Sequence, residues 1–293
     1  MILIFGAGGQ LGRELQRGAA AKAIAYRALS HAEVDVADAE AVSRALDQTR
    51  PALVVNAAAY TKVDLAEQEC EAARLGNEVG PGVVSAACAA QQTPLIHIST
   101  DYVFDGAKAG TYVESDAIAP LGVYGRTKAA GEAAVRAAAK RHIILRTSWV
   151  YGEFGNNFLK TMLRLAKERD ELRVVADQRG CPTSTRDIAE AILRIAPRLE
   201  AGADAQLYGL YHFAGAGATS WYGFATRIID AQAEVTGRRP KVVAIATADY
   251  PTPARRPANS VLDCGLFQRT FGFGARAWSE EADAIAKLVA GGG

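Results

Sequence analysis

The sequence predicts an α/β protein with a Rossmann-type, doubly wound parallel sheet and a smaller C-terminal lobe. Residues 2–5 form a short apolar run that ends in glycines, and short β-rich runs then alternate with alanine-rich stretches as far as residue 147. This alternation is typical of parallel sheets covered by helices on both faces. Beyond residue 150 the pattern is less regular, so we expect one domain over residues 1–150 and a second lobe over residues 151–293, with later segments returning to the first domain.

The periodicity predicts each element in turn. In the first half, strands are expected at 2–5, 24–26, 52–56, 95–99 and 143–147, and helices at 10–22, 39–47, 70–91 and 127–140. The tripeptide at 80–82, Gly-Pro-Gly, marks either a helix start or a break inside 70–91. In the second half, helices are expected at 158–168, 186–196, 221–234 and 279–289, strands at 173–176 and 209–213, and a loop at 250–257.

Composition narrows the possible partners. The 293 residues are 49% hydrophobic and 22% charged with a net charge of +1, which is typical of a globular protein without a general attraction to nucleic acid or acidic membranes. The four cysteines are widely spread, so they predict no metal site and no disulfide framework. No signal-like or membrane-spanning stretch is present in the sequence, so we expect a cytoplasmic protein with neither nucleic acid nor membrane as a partner.

The first glycines predict a phosphate-binding turn. Gly6, Gly9 and Gly12 follow a strand and precede a helix, and Gly8 adds a further residue without a Cβ. Glycine allows a sharp turn and a close approach of the backbone to a pyrophosphate, which the helix N-terminus attracts. We therefore expect a dinucleotide-binding domain over residues 1–150. The alternative is a tight strand-to-helix turn without a ligand.

Residues further along the first half are candidate contacts for the rest of the cofactor. No carboxylate stands about 20 residues after the glycines, where NAD-binding folds usually have one. Arg27 lies there and could bind a ribose 2′-phosphate, which favours NADP, although a solvated surface arginine is an equal alternative. Asp35 and the next residue could line the adenine, or Asp35 could be a turn residue. Asn77 is expected near the nicotinamide.

A second group of residues predicts proton transfer at a carbonyl. Tyr124 and Lys128 are four residues apart, which places them on one face of a helix, where the ammonium is expected to lower the pKa of the phenol. Thr100 could hydrogen-bond the same substrate oxygen, and Asp101 could tune the proton donor, hold a sugar hydroxyl or cap a loop. Trp149 offers a flat face to a sugar ring or base, or belongs to the core.

Several longer motifs are similar to those of a known family. The stretches GAGGQLG, NAAAYTKVDLAE, HISTDYVFDG, VYGRTKAAGE, ILRTSWVYGEFGNNFLKTMLRLAKERDELRVV and YPTPARRPANSVLD resemble the dTDP-4-dehydrorhamnose reductases, which are extended short-chain dehydrogenase/reductases. The resemblance runs nearly end to end. It implies NADPH-dependent reduction of dTDP-4-dehydro-L-rhamnose to dTDP-L-rhamnose, with NADH as a possible donor, and a mainly substrate-binding role for residues 151–293.

The resemblance also implies residue roles. Tyr124 is the implied proton donor, Lys128 its partner, Thr100 the third member of the triad and Asp101 their neighbour. The implied cofactor contacts are Gly6, Gly9, Gln10, Leu11, Gly12, Arg27, Asp35, Val36, Ala59, Tyr60, Thr61, Tyr124 and Lys128. The implied sugar-nucleotide contacts are Val63, Thr100, Asp101, Tyr102, Trp149 and Arg256, with Asn259 as a weaker candidate. Some members dimerise through magnesium, but Arg186 stands where an acid is expected, so we expect a monomer or a homodimer without a metal.

Two other functions are compatible with these patterns. Nucleotide-sugar dehydratases and epimerases share the fold and the Tyr/Lys pair, but dehydratases commonly carry an Asp-Glu pair after the threonine, and here Tyr102 follows Asp101. The NADP-binding regulatory subunit of methionine adenosyltransferase also resembles this pattern. An intact triad favours catalysis over that regulatory role.

Overall fold

The computed structural model describes residues 1–199 and 204–292. The strands are β1 (Ile2–Phe5), β2 (Tyr26–Leu29), β3 (Leu53–Asn56), β4 (Leu95–Thr100), β5 (His142–Thr147), β6 (Val150–Tyr151), β7 (Glu171–Val175), β8 (Arg179–Gly180), β9 (Thr183–Ser184), β10 (Gly209–His212), β11 (Thr219–Ser220) and β12 (Lys241–Ile245). The helices are α1 (Gln10–Ala21), α2 (Ala39–Thr49), α3 (Val63–Ala66), α4 (Cys70–Arg74), α5 (Gly80–Ala90), α6 (Val123–Ala138), α7 (Phe158–Glu168), α8 (Thr185–Ile195), α9 (Trp221–Thr236), α10 (Gly265–Phe271) and α11 (Trp278–Gly291).

The central sheet confirms the predicted parallel architecture. Its six strands lie in the order β2-β1-β3-β4-β5-β10, and every neighbouring pair is parallel. Phe5 at the end of β1 is in register with Leu29 of β2 on one side and with Asn56 of β3 on the other. From β1 the chain adds β2 on one side of the sheet and then adds β3, β4, β5 and β10 on the other side. Ligands of open α/β sheets bind where the order of strands changes in this way, here between β1 and β3, outside the carboxyl ends of the strands.

Both faces of this sheet are buried, which explains the unbroken apolar runs of β1 and β3. Ile4 packs on the face covered by α1 and α8, beside Leu15 and Ile192. Leu3, the preceding residue, points to the opposite face and packs with Leu46 of α2. Successive side chains of a strand point to opposite faces, so a sheet that is covered twice requires apolar residues at every position.

A second apolar cluster holds the smaller lobe together. It joins α7, α9 and α11 to the parallel pair β7–β12, with Leu163, Ile228 and Ile285 fully or almost fully buried. Other late segments pack on the first core instead, since Ile188 of α8 and Phe267 of α10 belong to the cluster around β1. The division at residue 150 stays a prediction.

Several predicted boundaries were wrong in informative ways. The second strand is Tyr26–Leu29 rather than 24–26, and α6 begins at Val123 rather than at residue 127. The helix predicted over 70–91 is made of α4, a π-helical turn at Leu75–Val79 and α5, which begins at Gly80. The short helices α3 and α10 and the strand β12 were not predicted. Within the described part of the chain, no helix has the length and apolar character needed to cross a membrane.

Candidate active site

The glycine turn joins β1 to α1 beside the end of β3. Gly6 has φ +86°, and a Cβ there would lie 2.6 Å from the backbone nitrogen of Ala58. A Cβ on Gly12 would lie 2.1 Å from the carbonyl oxygen of Gly6, so α1 can approach the turn only with glycine at this position. Gly8 has open space around its missing Cβ, and no side chain caps α1 after Gly9. The open turn and the uncapped amides fit a pyrophosphate.

The next two predicted contacts differ in what their side chains do. Gln10 accepts a hydrogen bond of 2.9 Å from the amide of Asn157 through its side-chain oxygen, which links the start of α1 to the smaller lobe. Leu11 packs in the core beneath the sheet, with 8% of its surface exposed. The side chain of Leu11 is therefore a packing group, and only its backbone faces the turn.

The segment predicted to face the adenosine lies at the end of β2, and this strand ends three residues later than predicted. Because β2 ends at Leu29, Arg27 lies two residues before its end, where its guanidinium is 3.5 Å from the carboxylate of Glu33. The residues that follow the strand are Ser30 and His31, and no carboxylate directly follows the end of the strand. The Arg27 contact with a 2′-phosphate stays a prediction, since it requires the side chain to leave Glu33.

The acidic and apolar pair after β2 forms a turn. Asp35 accepts a hydrogen bond of 2.9 Å from the backbone N–H of Ala37, as the turn alternative predicted. Val36 is buried, and a Cβ on Gly80 would lie 2.6 Å from its Cγ2. This close packing fixes the start of α5 against the turn.

The loop after β3 presents small side chains at the crevice, as predicted. Ala59 and Thr61 are exposed, while the backbone of Tyr60 is held by Asn77. The Asn77 side chain accepts from the Tyr60 N–H at 2.9 Å and donates to its carbonyl at 3.0 Å. Asn77 is fully buried. Both ends of its amide hold this loop against α6, and its position near the nicotinamide stays a prediction.

The predicted catalytic residues meet at the carboxyl end of β4. Thr100 ends that strand, and its hydroxyl hydrogen-bonds the phenol of Tyr124 from the first turn of α6. The same hydroxyl lies 3.1 Å from Oδ1 of Asp101. A hydroxyl carries one proton, so Thr100 can donate to only one of these two oxygens at a time. Lys128, one helical turn after Tyr124, donates a hydrogen bond of 2.6 Å to the carbonyl of Ile98.

Burial decides the charges in this cluster. It raises the pKa of the Tyr124 phenol to about 12 and outweighs the hydrogen bond from Thr100. The expectation that Lys128 lowers this pKa was wrong, because the ammonium is directed to the Ile98 carbonyl. Burial also lowers the pKa of Lys128 to about 8 against the opposing effect of Glu132, and it raises the pKa of Asp101 to about 7. Tyr124 is therefore a protonated donor at neutral pH.

A pocket beside Tyr124 is lined by two of the predicted substrate contacts, Val63 and Tyr102. The ring of Tyr102 meets the ring of Tyr124 edge to face, with centroids 5.8 Å apart. Arg256 forms a two-pronged ion pair with Asp64, with contacts of 2.7 and 3.0 Å, and also hydrogen-bonds the Tyr102 hydroxyl. The loop after β12 lines the pocket through Ala254, Arg255 and Pro257, while Arg256 contacts the pocket residue Tyr102.

Two further candidates are partly occupied by the protein itself. Trp149 has φ +47° and stacks on Trp221 with ring centroids 3.6 Å apart, while a Cβ on Gly180 would lie 2.4 Å from the Trp149 ring. One flat face of Trp149 is therefore covered by Trp221, and its contact with a sugar or base stays a prediction. The side-chain amide of Asn259 donates at 2.8 Å to two backbone carbonyls of the loop at residues 108–110, so it holds that loop together.

Sequence reasoning overlooked a polar group beneath the catalytic residues. Glu132 is fully buried and binds Arg146 of β5 with contacts of 2.8 and 2.7 Å. Ser99 donates to the same carboxylate at 2.6 Å. Two signals were present in the sequence. Glu132 continues the four-residue spacing of Tyr124 and Lys128, and Arg146 interrupts an otherwise apolar strand.

Comparisons with known proteins agree on one family. The family model described as the RmlD substrate binding domain matches residues 1–290. A dTDP-4-dehydrorhamnose reductase of Aggregatibacter actinomycetemcomitans is 47% identical over 280 residues, which cover 94% of this chain and 95% of that protein. The crystal structure of a Clostridium acetobutylicum dTDP-4-dehydrorhamnose reductase has a TM-score of 0.91, 38% identity and coverage of 98% and 99%. A Bacillus anthracis dTDP-4-dehydrorhamnose reductase in complex with NADP has a TM-score of 0.90, 34% identity and coverage of 97% of both chains.

Proposed function

This chain belongs to the family of the RmlD substrate binding domain, and from that membership and the geometry of the cleft we infer that it reduces the 4-keto group of dTDP-4-dehydro-L-rhamnose. The product is dTDP-L-rhamnose, a sugar donor for cell-surface polysaccharides. The observation that carries the assignment is the convergence of Thr100, Tyr124 and Lys128 at the carboxyl end of β4, beside the open glycine turn.

The nicotinamide cofactor fits the residues of the crevice. Gly6, Gly9 and Gly12 with the first amides of α1 are positioned to hold its pyrophosphate, and the small residues after β3 leave room for its ribose. When bound, NADPH supplies the hydride that reduces the sugar carbonyl. The complex of the B. anthracis reductase with NADP supports this cofactor, as does the absence of a carboxylate directly after β2.

The protein's own residues supply the proton and orient the sugar. Tyr124, with its pKa near 12, is protonated at neutral pH and donates its proton to the oxygen of the reacting carbonyl. Thr100 hydrogen-bonds that oxygen and fixes its position. Lys128 contributes its positive charge to the proposed cofactor contacts rather than to the pKa of Tyr124. Asp101 lies next to Thr100 and accepts or returns a proton near neutral pH, since its pKa is about 7.

Tyr102 forms part of the pocket wall, and Arg256 hydrogen-bonds its hydroxyl. The guanidinium carries a positive charge into a half-buried site, and a diphosphate is a suitable anion for its fixed donors. To bind a phosphate with those donors, Arg256 must share or leave Asp64. Val63, which lines the pocket, and the partly buried Trp149 complete the contacts that we propose for the sugar nucleotide.

The cellular location and the oligomeric state of the chain are also proposals. All four cysteines are free, and free thiols persist in a reducing compartment, which supports a cytoplasmic location. Whether the enzyme is a monomer or a homodimer stays a prediction.

The test of function is NADPH oxidation by the purified protein with dTDP-4-dehydro-L-rhamnose as substrate. Stoichiometric oxidation and formation of dTDP-L-rhamnose are expected, and the cofactor should exchange freely when the protein is mixed with excess NADP. Cofactor that stays bound through turnover would indicate an epimerase or dehydratase. Binding of NADP without any turnover would favour the regulatory alternative, which the intact catalytic residues speak against.

A further inference from the structure

We propose that the buried ion pair of Glu132 and Arg146 is a positioning device for the reaction: it holds α6 on the sheet and supplies the counter-charge that keeps Lys128 an ammonium. This inference rests on the proposed reductase function, and it adds two residues that do not touch the substrate. It concerns the polar layer directly beneath Lys128, on the side of the sheet that α6 covers.

The first step is geometric. Lys128 and Glu132 are one turn apart on α6, and their heads reach adjacent residues of β4. The ammonium donates to the Ile98 carbonyl at 2.6 Å, and the carboxylate accepts from the Ser99 hydroxyl at 2.6 Å. Both side chains are almost completely buried. The ammonium and the carboxylate are therefore anchored side by side on one strand.

The second step concerns how the carboxylate is held. Arg146 lies opposite Ser99 in the register of β4 and β5, so the guanidinium and the hydroxyl meet Glu132 from neighbouring strands. Nε and Nη2 of Arg146 donate to the two carboxylate oxygens at 2.8 and 2.7 Å. The guanidinium also lies over the ring of Phe104, 5.1 Å from its centroid. Glu132 is thus fixed from two strands, and it fixes α6 in turn.

Two basic side chains and one acidic side chain are buried in this polar layer. Lys128 and Arg146 both have 2% of their surface exposed, and Glu132, which binds Arg146, is fully buried one helical turn from Lys128. Buried charges require a partner, and a lone ammonium at this depth would lose its proton. Glu132 acts in the opposite direction on Lys128 and raises its pKa. Glu132 therefore interacts with two buried cations, with Arg146 through hydrogen bonds and with Lys128 through its charge. We expect the bond to Arg146 to weaken the effect of Glu132 on the pKa of Lys128.

No other described group around Lys128 can replace this carboxylate. His97 of β4 is buried and neutral, because burial holds its pKa well below the usual value. Helix α5, which packs on α6, has no charged residue, and its Cys88 is a buried thiol of raised pKa. The remaining charged or titratable groups on or against α6 include Tyr124 itself and its neighbours Asp101 and Tyr102 after β4. Those on other elements are His142 of β5, Glu78 of the π-helical turn, Cys70 and the exposed pair Glu71–Arg74 of α4, Asp64 with its partner Arg256, and Glu67, which accepts from the Val123 N–H.

The experiment measures the charge of Lys128 in the protein alone. The full-length protein is labelled with 13C-lysine, the Lys128 resonance is assigned with Lys128→Arg, and the resonance is titrated by NMR. Glu132→Gln should lower the pKa of Lys128 by about one unit or more. Arg146→Met should raise it, because Glu132 then has Lys128 as its remaining buried cation. The double variant Glu132→Gln/Arg146→Met should lie between wild type and Glu132→Gln.

The control is Arg136→Gln. Arg136 touches the same carboxylate at 3.5 Å but is 41% exposed, so its removal should leave the pKa of Lys128 unchanged. Wild type, Glu132→Gln, Arg146→Met and the double variant have a predicted rank order of the Lys128 pKa. If one single variant does not fold, the order of the remaining proteins still tests the proposal. Shifts of Glu132→Gln and Arg146→Met in the same direction, or no shift in either, would overturn the proposal.

Activity gives the second readout. The loss of kcat/KM at alkaline pH should move to lower pH in Glu132→Gln and to higher pH in Arg146→Met, by the same amounts as the NMR shifts. A one-unit decrease reduces the charged fraction, and hence kcat/KM, about tenfold at pH values well above the pKa. Wild type without any reductase activity would refute the proposed function, while the NMR titration would still test the ion pair.

Discussion

Replacing Asp101 by asparagine should stabilise the protein at alkaline pH while slowing its reaction. The Asp101 side chain is almost fully buried, with 2% of its surface exposed. Burial raises its pKa from 3.8 to about 7, although Thr100 and Ser260 oppose this shift by hydrogen bonding. A carboxyl whose pKa is higher in the folded protein favours unfolding once it ionises. This destabilisation is absent below the unfolded pKa, grows with rising pH and is complete above the folded pKa.

The size of the effect follows from the shift. A change from 3.8 to about 7 is roughly three units, and at about 1.36 kcal/mol per unit the ionised Asp101 reduces the free energy of unfolding by roughly 4 kcal/mol at pH 8. At pH 5 the same relation gives only about 1.5–2 kcal/mol. The stability advantage of Asp101→Asn should therefore increase by roughly 2–3 kcal/mol between pH 5 and pH 8.

Urea denaturation of both proteins at a series of pH values measures this difference. The asparagine does not titrate, so any constant effect of the substitution cancels in the pH dependence. Asp116→Asn is the matched control, because the ion pair with Lys108 lowers the pKa of Asp116 and its carboxyl stays ionised from pH 5 to pH 8. Its difference from wild type should not change over this range. A difference that is equally flat for Asp101→Asn would refute the reasoning.

Two further substitutions test the remaining parts of the cleft. Gly12→Ala should weaken NADPH binding at least tenfold and lower the Tm, because its Cβ would lie 2.1 Å from the Gly6 carbonyl oxygen. Gly8→Ala is the control and should fold as stably as wild type, since its Cβ would meet open space. Calorimetry measures the Tm, and fluorescence titration measures NADPH binding. Arg256→Lys should raise KM for the sugar nucleotide about tenfold or more without changing the Kd of NADPH, since an ammonium cannot reproduce the two-pronged donors now held by Asp64. An unchanged KM would remove Arg256 from the binding site.

The sequence predicted the sheet well because burial on both faces leaves a local signature. Runs such as 2–5 and 53–56 are apolar at every position, and this signal does not depend on distant residues. The edge strand β2 carries no such signature, since Tyr26, Arg27 and Ala28 are partly or fully exposed. Its position is set by register with β1, and its end lies three residues later than predicted, so that Arg27 lies within the strand.

Helix α6 shows how a distant contact can override local propensity. Glycine has a low helix propensity, but Gly125 lies inside α6, whereas the predicted helix began only at residue 127. The packing requires glycine there, because a Cβ would lie 2.2 Å from the carbonyl oxygen of Tyr102. The helix can thus begin at Val123 and bring Tyr124 into its first turn beside Thr100.

The residues of the candidate site were easier to predict than their charges. The spacing of Tyr124 and Lys128 indicated that they share a helix face, and it does not reveal that the ammonium binds a strand carbonyl. The pKa of a buried group depends on everything packed around it, including side chains far away in sequence. The pairing of β7 with β12 was also missed, because the two strands are some 70 residues apart and no local pattern shows that they meet.

The most direct measurement of the central claim is single-turnover reduction of dTDP-4-dehydro-L-rhamnose by Tyr124→Phe with NADPH. The account predicts a rate about 10²–10⁴-fold below wild type, which is typical for the loss of a general acid, with the Kd of NADPH nearly unchanged. A rate equal to that of wild type would contradict the assignment of Tyr124 as the proton donor.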